Sequence, residues 1–168
     1  TTDLDDNQIT AFHPGAMNHA HENRVEGALG AGLAIIAPDG KEGMQAHVEQ
    51  FAAASIPFVF DPGQGIPLFT GPELLDMIEQ SRYLAVNDYE GRMLAERTGV
   101  PLAGIAERVD ALILTLGGDG SVIHAGGDTN DEAFKAGVAY IATTPPDGTY
   151  NSSLMALALA DLDPVKYR

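Results

Sequence analysis

The chain has 168 residues, of which 45% are hydrophobic and 20% are charged, as in one globular domain with its own core. Nine Lys and Arg against 24 Asp and Glu give a formal net charge of -15, which disfavours nucleic acid and anionic membranes as partners. The absence of cysteine excludes disulfides, thiolate zinc sites and cysteine nucleophiles.

Apolar strand-like runs alternate with helical patterns along most of the sequence. Turn residues precede an alternating stretch at 8–12, typical of a hairpin or an edge strand. Strands are predicted at 32–38, 57–62, 83–87 and 111–117, an antiparallel edge strand at 121–125, and helices at 41–55, 71–82, 88–99, 131–143 and 151–162. This rhythm predicts a single α/β domain over 1–168. We expect a three-layer, Rossmann-like, mostly parallel sheet with helices on both faces.

Three central strands are each predicted to end in a polar residue, namely Asp61, Asn87 and Thr115. Ligands of open parallel sheets bind beyond the carboxyl ends of the strands, so the three ends outline one crevice. The alternative is structural, because Asp and Asn also end strands where turns and helix caps begin.

Asn87 and Glu90 allow two interpretations. Asn87 can cap the helix that follows, with Glu90 at the third helical position returning the bond. Alternatively, the oxygens of both side chains face the crevice and hold a hydrated Mg²⁺ ion or position phosphate.

The stretch from Thr115 to Gly120 contains Gly117, Gly118 and Gly120. Glycines let the backbone approach a ligand and present N–H groups to phosphate. The same residues also suit a hairpin turn, and both interpretations can hold together.

Other motifs are weaker. The sequence contains no P-loop and no G-x-S-x-G motif. His13, His19, His21 and Glu22 could bind zinc, but their spacing matches no strong template.

Three segments, at 56–65, 86–99 and 109–127, resemble in order and spacing the PfkB (ribokinase-like) family of carbohydrate and nucleoside kinases. Residues 1–17 resemble the stretch before that family's central sheet. The resemblance implies ATP-dependent phosphoryl transfer to a sugar or nucleoside hydroxyl, with Mg²⁺.

The resemblance also implies roles for individual residues. Asn87 and Glu90 match the family's Asn-x-x-Glu motif, which organises magnesium and phosphate. Thr115, Gly117 and Gly120, with Gly118 between them, match the Thr-x-Gly-x-x-Gly stretch that lines the nucleotide site. Asp61 occupies a strand end near the phosphates, so Asp61 and Glu90 are the candidate metal ligands.

Two departures from the family bear on activity. The N-terminal substrate and lid region is not in this sequence, so the chain corresponds to the nucleotide-side portion of such a kinase. The Gly-x-Gly-Asp motif is also missing, and Glu132, beside Asp131, stands where the catalytic Asp belongs. Glu132 is the candidate base. However, its extra methylene and the local negative charge favour an impaired site or a helix cap alone.

Three functional hypotheses follow. The first is a sugar or nucleoside kinase with impaired activity. The second is a non-catalytic scaffold that binds Mg²⁺-nucleotide. The third is a structural domain that forms a homo-oligomer through uncovered apolar surface. We expect a cytoplasmic location, because no signal-peptide or membrane-spanning pattern is visible.

Overall fold

The computed structural model describes residues 13, 15–28, 30–117 and 120–125. Within these ranges the strands are β1 (Ala34–Ile36), β2 (Phe58–Phe60), β3 (Tyr83–Asn87), β4 (Ala111–Thr115) and β5 (Ser121–Ala125). The α-helices are α1 (Lys41–Ala53), α2 (Gly71–Gln80), α3 (Asp88–Thr98) and α4 (Leu102–Ala106). Short 3-10 helices occupy Gly15–Glu22, Val25–Ala28 and Gly63–Leu68.

The five described strands form one sheet in the order β1-β2-β3-β4-β5. β1 to β4 are parallel, and β5 returns antiparallel beside β4. The predicted mostly parallel sheet and its antiparallel edge strand at 121–125 are therefore confirmed. The strand predicted before residue 13 and the helices predicted at 131–143 and 151–162 lie outside the described residues.

Local sequence signals explain where α2 begins and where α3 ends. α2 begins at a reciprocal cap, in which Thr70 accepts from the backbone N–H of Glu73 and the Glu73 side chain accepts from the N–H of Thr70. α3 ends at Gly99, whose φ of 70° is the left-handed conformation that favours glycine. Both boundaries follow from sequence patterns.

The hydrophobic core lies between one face of the sheet and the helices. Strand residues alternate between faces, and the register aligns Ile36, Phe60, Leu84 and Leu112 on the same face. All four are at most 4% exposed and pack in one cluster with residues from α1 to α4. The described α-helices therefore cover this face, which we call the helix face.

The opposite face carries the alternate strand residues. Ile35, Val59 and Tyr83 are in register there, and Ala85 is in register with Ile113. Val59 is 8% exposed but lies outside the main core cluster, while Ile35 at the sheet edge is 51% exposed. Thr115 follows Ile113 by two residues in β4, so its side chain lies on this face too. Asn87 and Ser121 are in register with Thr115 and share the face at the end of the sheet.

Among the described residues, no helix has the length and apolar character needed to cross a membrane.

Candidate active site

The carboxyl ends of β3 and β4 lie side by side. Asn87, the last residue of β3, is in register with Thr115, the last residue of β4, and Thr115 is in register with Ser121 of β5. Asp61 directly follows β2, and its backbone N–H donates to the carbonyl of Ile36 at 2.9 Å. The predicted strand-end residues therefore come from adjacent strands and lie along one edge of the sheet.

Asn87 and Glu90 form the reciprocal helix cap. The backbone N–H of Glu90 donates to Asn87 Oδ1 at 2.8 Å, and the backbone N–H of Asn87 donates to Glu90 Oε2 at 2.8 Å. The capping interpretation is confirmed. The cap uses one carboxylate oxygen of Glu90, and the crevice interpretation requires a ligand at the other.

Asp61 has an unusual electrostatic environment. The pKa of its carboxyl is raised from 3.8 to about 6, first by burial and second by the negative charge of Glu90, while a hydrogen bond from the backbone N–H of Gly63 partly opposes the rise. Two carboxylates from neighbouring strand ends thus repel each other across a partly buried space. A cation between them would relieve both the repulsion and the burial cost.

The chemistry of this carboxylate pair fits Mg²⁺. Mg²⁺ is usually bound by one or two carboxylates, with waters and substrate phosphates completing its coordination. Asp61 and Glu90 supply such a pair. No cluster of three or more His, Asp or Glu suited to a metal occurs in the described part of the chain, so a cage built by the protein alone is not seen there.

The glycine stretch forms the turn between β4 and β5. Gly117 and Gly120 have φ values of 60° and 91°. The N–H of Leu116 donates to the carbonyl of Gly120 at 2.8 Å, and the N–H of Gly120 donates to the carbonyl of Gly117 at 3.2 Å. The hairpin interpretation is confirmed, and the N–H of Gly120 is used inside the turn. Gly118 lies outside the described residues.

The turn is nevertheless open on its outer side. A Cβ added at Gly117 or Gly120 would meet no atom of the described residues within 4 Å. Space therefore exists beside the turn for a ligand, while Thr115 contributes a hydroxyl at its base.

The histidines do not gather into a zinc site. His19 Nδ1 lies 2.9 Å from Glu22 Oε1, and His21 Nδ1 lies 3.5 Å from Glu42 Oε2, whereas His13 Nδ1 accepts from the backbone N–H of Gly15 at 3.2 Å. Metal binding by this segment is not supported among the described residues.

The candidate base Glu132 and its neighbour Asp131 lie outside the described residues, so their positions relative to the crevice stay predictions. Sequence reasoning missed Ser121, the first residue of β5, which completes the row of side chains at the sheet edge. The available signal was its place directly after the last glycine of the turn.

Similar proteins were found among proteins of known function and among solved structures, whereas no protein-family model matches the chain. A nucleoside kinase of Methanocaldococcus jannaschii is 32% identical over 123 residues, which make up 73% of this chain and 40% of that protein.

Two solved structures resemble the fold closely. The nucleoside kinase of Burkholderia thailandensis in complex with inosine gives a TM-score of 0.75 with 41% identity, covering 99% of this chain and 61% of that one. The nucleoside kinase of M. jannaschii, described as an archaeal member of the ribokinase family, gives a TM-score of 0.68 with 28% identity, covering 95% of this chain and 58% of that one.

The chain therefore spans between 40% and 61% of the length of these relatives. The resemblance at 56–65, 86–99 and 109–127, the sequence identity along most of the chain and the fold all agree. The chain belongs to the ribokinase-like (PfkB) family.

Proposed function

We propose that this chain is the nucleotide-side part of an ATP-dependent nucleoside kinase, which transfers the γ-phosphoryl group of ATP to a hydroxyl of a nucleoside. The relatives favour a nucleoside over a sugar as the acceptor, because the B. thailandensis enzyme is solved with inosine and with ADP-inosine. This chain shares 41% identity with that enzyme.

The observation that carries the proposal is the Asp61–Glu90 pair at adjacent strand ends. The two carboxylates are near enough for the charge of Glu90 to contribute, after burial, to the raised pKa of Asp61, which is about 6. Such a pair is poorly suited to bind phosphate directly and well suited to bind the divalent ion that accompanies ATP. Thr115 and the open glycine turn lie beside it and would receive the phosphates.

In the proposed reaction the nucleoside hydroxyl oxygen attacks the γ-phosphorus, and the bond from that phosphorus to the β–γ bridging oxygen breaks to release ADP. Magnesium, when bound, would neutralise charge on the phosphate oxygens. Asp61 and Glu90 would hold it, and Asn87 and Thr115 would orient the phosphates. The hydroxyl proton would pass to Glu132, with Asp131 beside it.

We expect turnover to be weak. Glu132 replaces an Asp in the family motif, and its longer side chain shifts the carboxylate by a methylene, which can be costly for alignment. The two motif glycines that would present backbone N–H groups to the moving phosphoryl group are also replaced.

A second candidate function is a scaffold that binds Mg²⁺-nucleotide without chemistry. The reciprocal cap favours it, because Asn87 and Glu90 already have a structural role at the start of α3. A scaffold would keep these residues even when turnover is lost.

Release of ADP measured in a coupled assay tests the proposal. The panel contains inosine, other purine and pyrimidine nucleosides, and free ribose, with Mg²⁺-ATP. We expect slow, nucleoside-dependent release from the wild type and none above background from Glu132→Gln. Equal rates for the two proteins would remove Glu132 as the base, and nucleotide binding without any turnover would favour the scaffold.

The chain's own copies are a second proposed partner. Leu33, which directly precedes β1, and Ile35 within β1 are 50% and 51% exposed, and through them a homo-oligomer would form. Light scattering would measure the mass in solution, and a monomer at all concentrations would contradict it. We also propose a cytoplasmic location.

A further inference from the structure

Ser121 has a property that its neighbours in the sheet do not share. Among the described residues, its Oγ is a buried side-chain oxygen with no hydrogen-bond partner. Leaving a buried hydroxyl unpaired destabilises the folded protein, and alanine would fill the same position without this cost. The serine hydroxyl is therefore a cost to the ligand-free protein that its packing does not explain.

The position of Ser121 connects it to the candidate site. It is paired directly with Thr115 across the β4–β5 hairpin, and Thr115 is paired with Asn87. Residues paired in this way lie on the same face of a sheet with their Cβ atoms about 4.5–5.5 Å apart. The two hydroxyls thus flank the base of the glycine turn.

A neutral hydrogen-bond donor at this place would act beside Asn87 and Thr115 on a bound phosphate. Asp61 and Glu90 are carboxylates, which accept hydrogen bonds and repel phosphate, and the N–H of Gly120 is used inside the turn. A serine hydroxyl can donate, and it can rotate among three staggered positions. Because no described residue fills the space beside Gly117 and Gly120, such a rotation can bring Oγ toward a ligand at the turn.

We propose that Ser121 is a nucleotide-binding residue, whose hydroxyl turns toward the bound nucleotide and donates a hydrogen bond to an oxygen of its polyphosphate. The inference rests on the proposed function, since it requires that the crevice binds Mg²⁺-nucleotide. It assigns a ligand role to a residue outside the Asn-x-x-Glu and Thr-x-Gly-x-x-Gly motifs.

The test compares Ser121→Ala, Ser121→Thr and Val122→Ala with the wild type. Val122 is the matched control, because it follows Ser121 in β5, is 41% exposed and lies on the helix face beside Leu114. Two quantities are measured, the melting temperature without ligand and the dissociation constant of Mg²⁺-ATP by calorimetry.

We expect ligand-free Ser121→Ala to melt at the wild-type temperature or above it, because an unpaired hydroxyl is removed. Its dissociation constant for Mg²⁺-ATP should rise about tenfold, the loss of one hydrogen bond to a charged group. Ser121→Thr keeps the hydroxyl and should bind within about threefold of the wild type, as should Val122→Ala.

Several outcomes would overturn the inference. Wild-type affinity in Ser121→Ala would show that the hydroxyl does not contact the nucleotide, while leaving the proposed function intact. A lower melting temperature of ligand-free Ser121→Ala would show a structural role. A wild-type protein that binds no Mg²⁺-ATP would overturn the proposed function and this inference together.

Discussion

At the level of single residues, Asp61 connects the stability of the protein to its proposed function. Its pKa in the folded protein is about 6 instead of 3.8, first because of burial and second because of Glu90. An acid with a raised pKa stabilises the fold when it is protonated, so this contribution is complete below about pH 3.8 and is lost as the pH rises through about 6. At neutral pH the ionised Asp61 is a cost to the fold.

Replacing Asp61 by Asn should therefore stabilise the protein at pH 7. We expect the free energy of unfolding to rise by about 1–2 kcal/mol, after allowing for solvent screening of a half-buried carboxyl. The gain should shrink as the pH falls from 6 toward 4, where the wild-type Asp61 becomes protonated. Urea unfolding measured across this pH range checks the expectation.

Glu96→Gln is the matched control, because Glu96 is an exposed acid on α3. It should change stability little at either pH. A gain for Asp61→Asn that is the same at pH 4 and pH 7 would contradict the electrostatic explanation.

The contrast between Asp61 and Asn87 shows what a sequence can predict about a site. Asn87 and Glu90 are three residues apart, so their reciprocal bonds follow from local spacing alone. The proximity of Asp61 to Glu90 depends on how β2 pairs with β3, and no local pattern fixes that pairing. The Asn87–Glu90 cap was therefore predictable, whereas the raised pKa of Asp61 was not.

At the level of elements, the start of α3 combines a structural and a proposed functional role. Asn87→Ala should lower the free energy of unfolding by about 1 kcal/mol, because the cap is lost. Asn87→Ser should restore most of this stability, because serine is also a good cap. Urea unfolding distinguishes these cases.

The same pair of variants separates capping from ligand binding. If Asn87 also orients phosphate, Asn87→Ser should bind Mg²⁺-ATP several-fold more weakly than the wild type although it is nearly as stable. Wild-type affinity in Asn87→Ser would show that Asn87 is only a cap.

Glu73 connects α1 to the start of α2. Lys41 Nζ lies 2.8 Å from Glu73 Oε1, and the backbone N–H of Thr70 donates to Glu73 Oε2 at 2.7 Å. Mainly the hydrogen bond from Lys41, and then those from Thr70, lower the pKa of Glu73 from 4.5 to about 2. A lowered pKa gives stability that is present above pH 4.5 and is lost as the pH falls toward 2.

Glu73→Gln should accordingly melt a few degrees below the wild type at pH 7, with the difference shrinking between pH 4.5 and pH 2. Thermal unfolding followed by circular dichroism over this pH range checks it, again with Glu96→Gln as control. A difference that does not depend on pH would mean that the ion pair and the cap hydrogen bonds are not its cause.

Across the whole molecule, the alternation of strands and helices was sufficient to predict a mostly parallel sheet. β3 was predicted to the residue, since its five residues follow a helix and end in the capping Asn87. The order of the strands was not predictable in this way, nor was the arrangement of α1 to α4 along one face. Both depend on long-range pairing. The 3-10 helix at Gly63–Leu68 was also missed, because its glycines and proline give no periodic pattern.

Titration of ATP into the protein by calorimetry, with and without Mg²⁺, tests most directly whether the strand ends form one nucleotide site. We predict saturable binding by the wild type that requires Mg²⁺, and binding by Asp61→Asn at least tenfold weaker although that variant is the more stable protein. Absence of binding by the wild type, or binding that Asp61→Asn and the withdrawal of Mg²⁺ leave unchanged, would contradict the account.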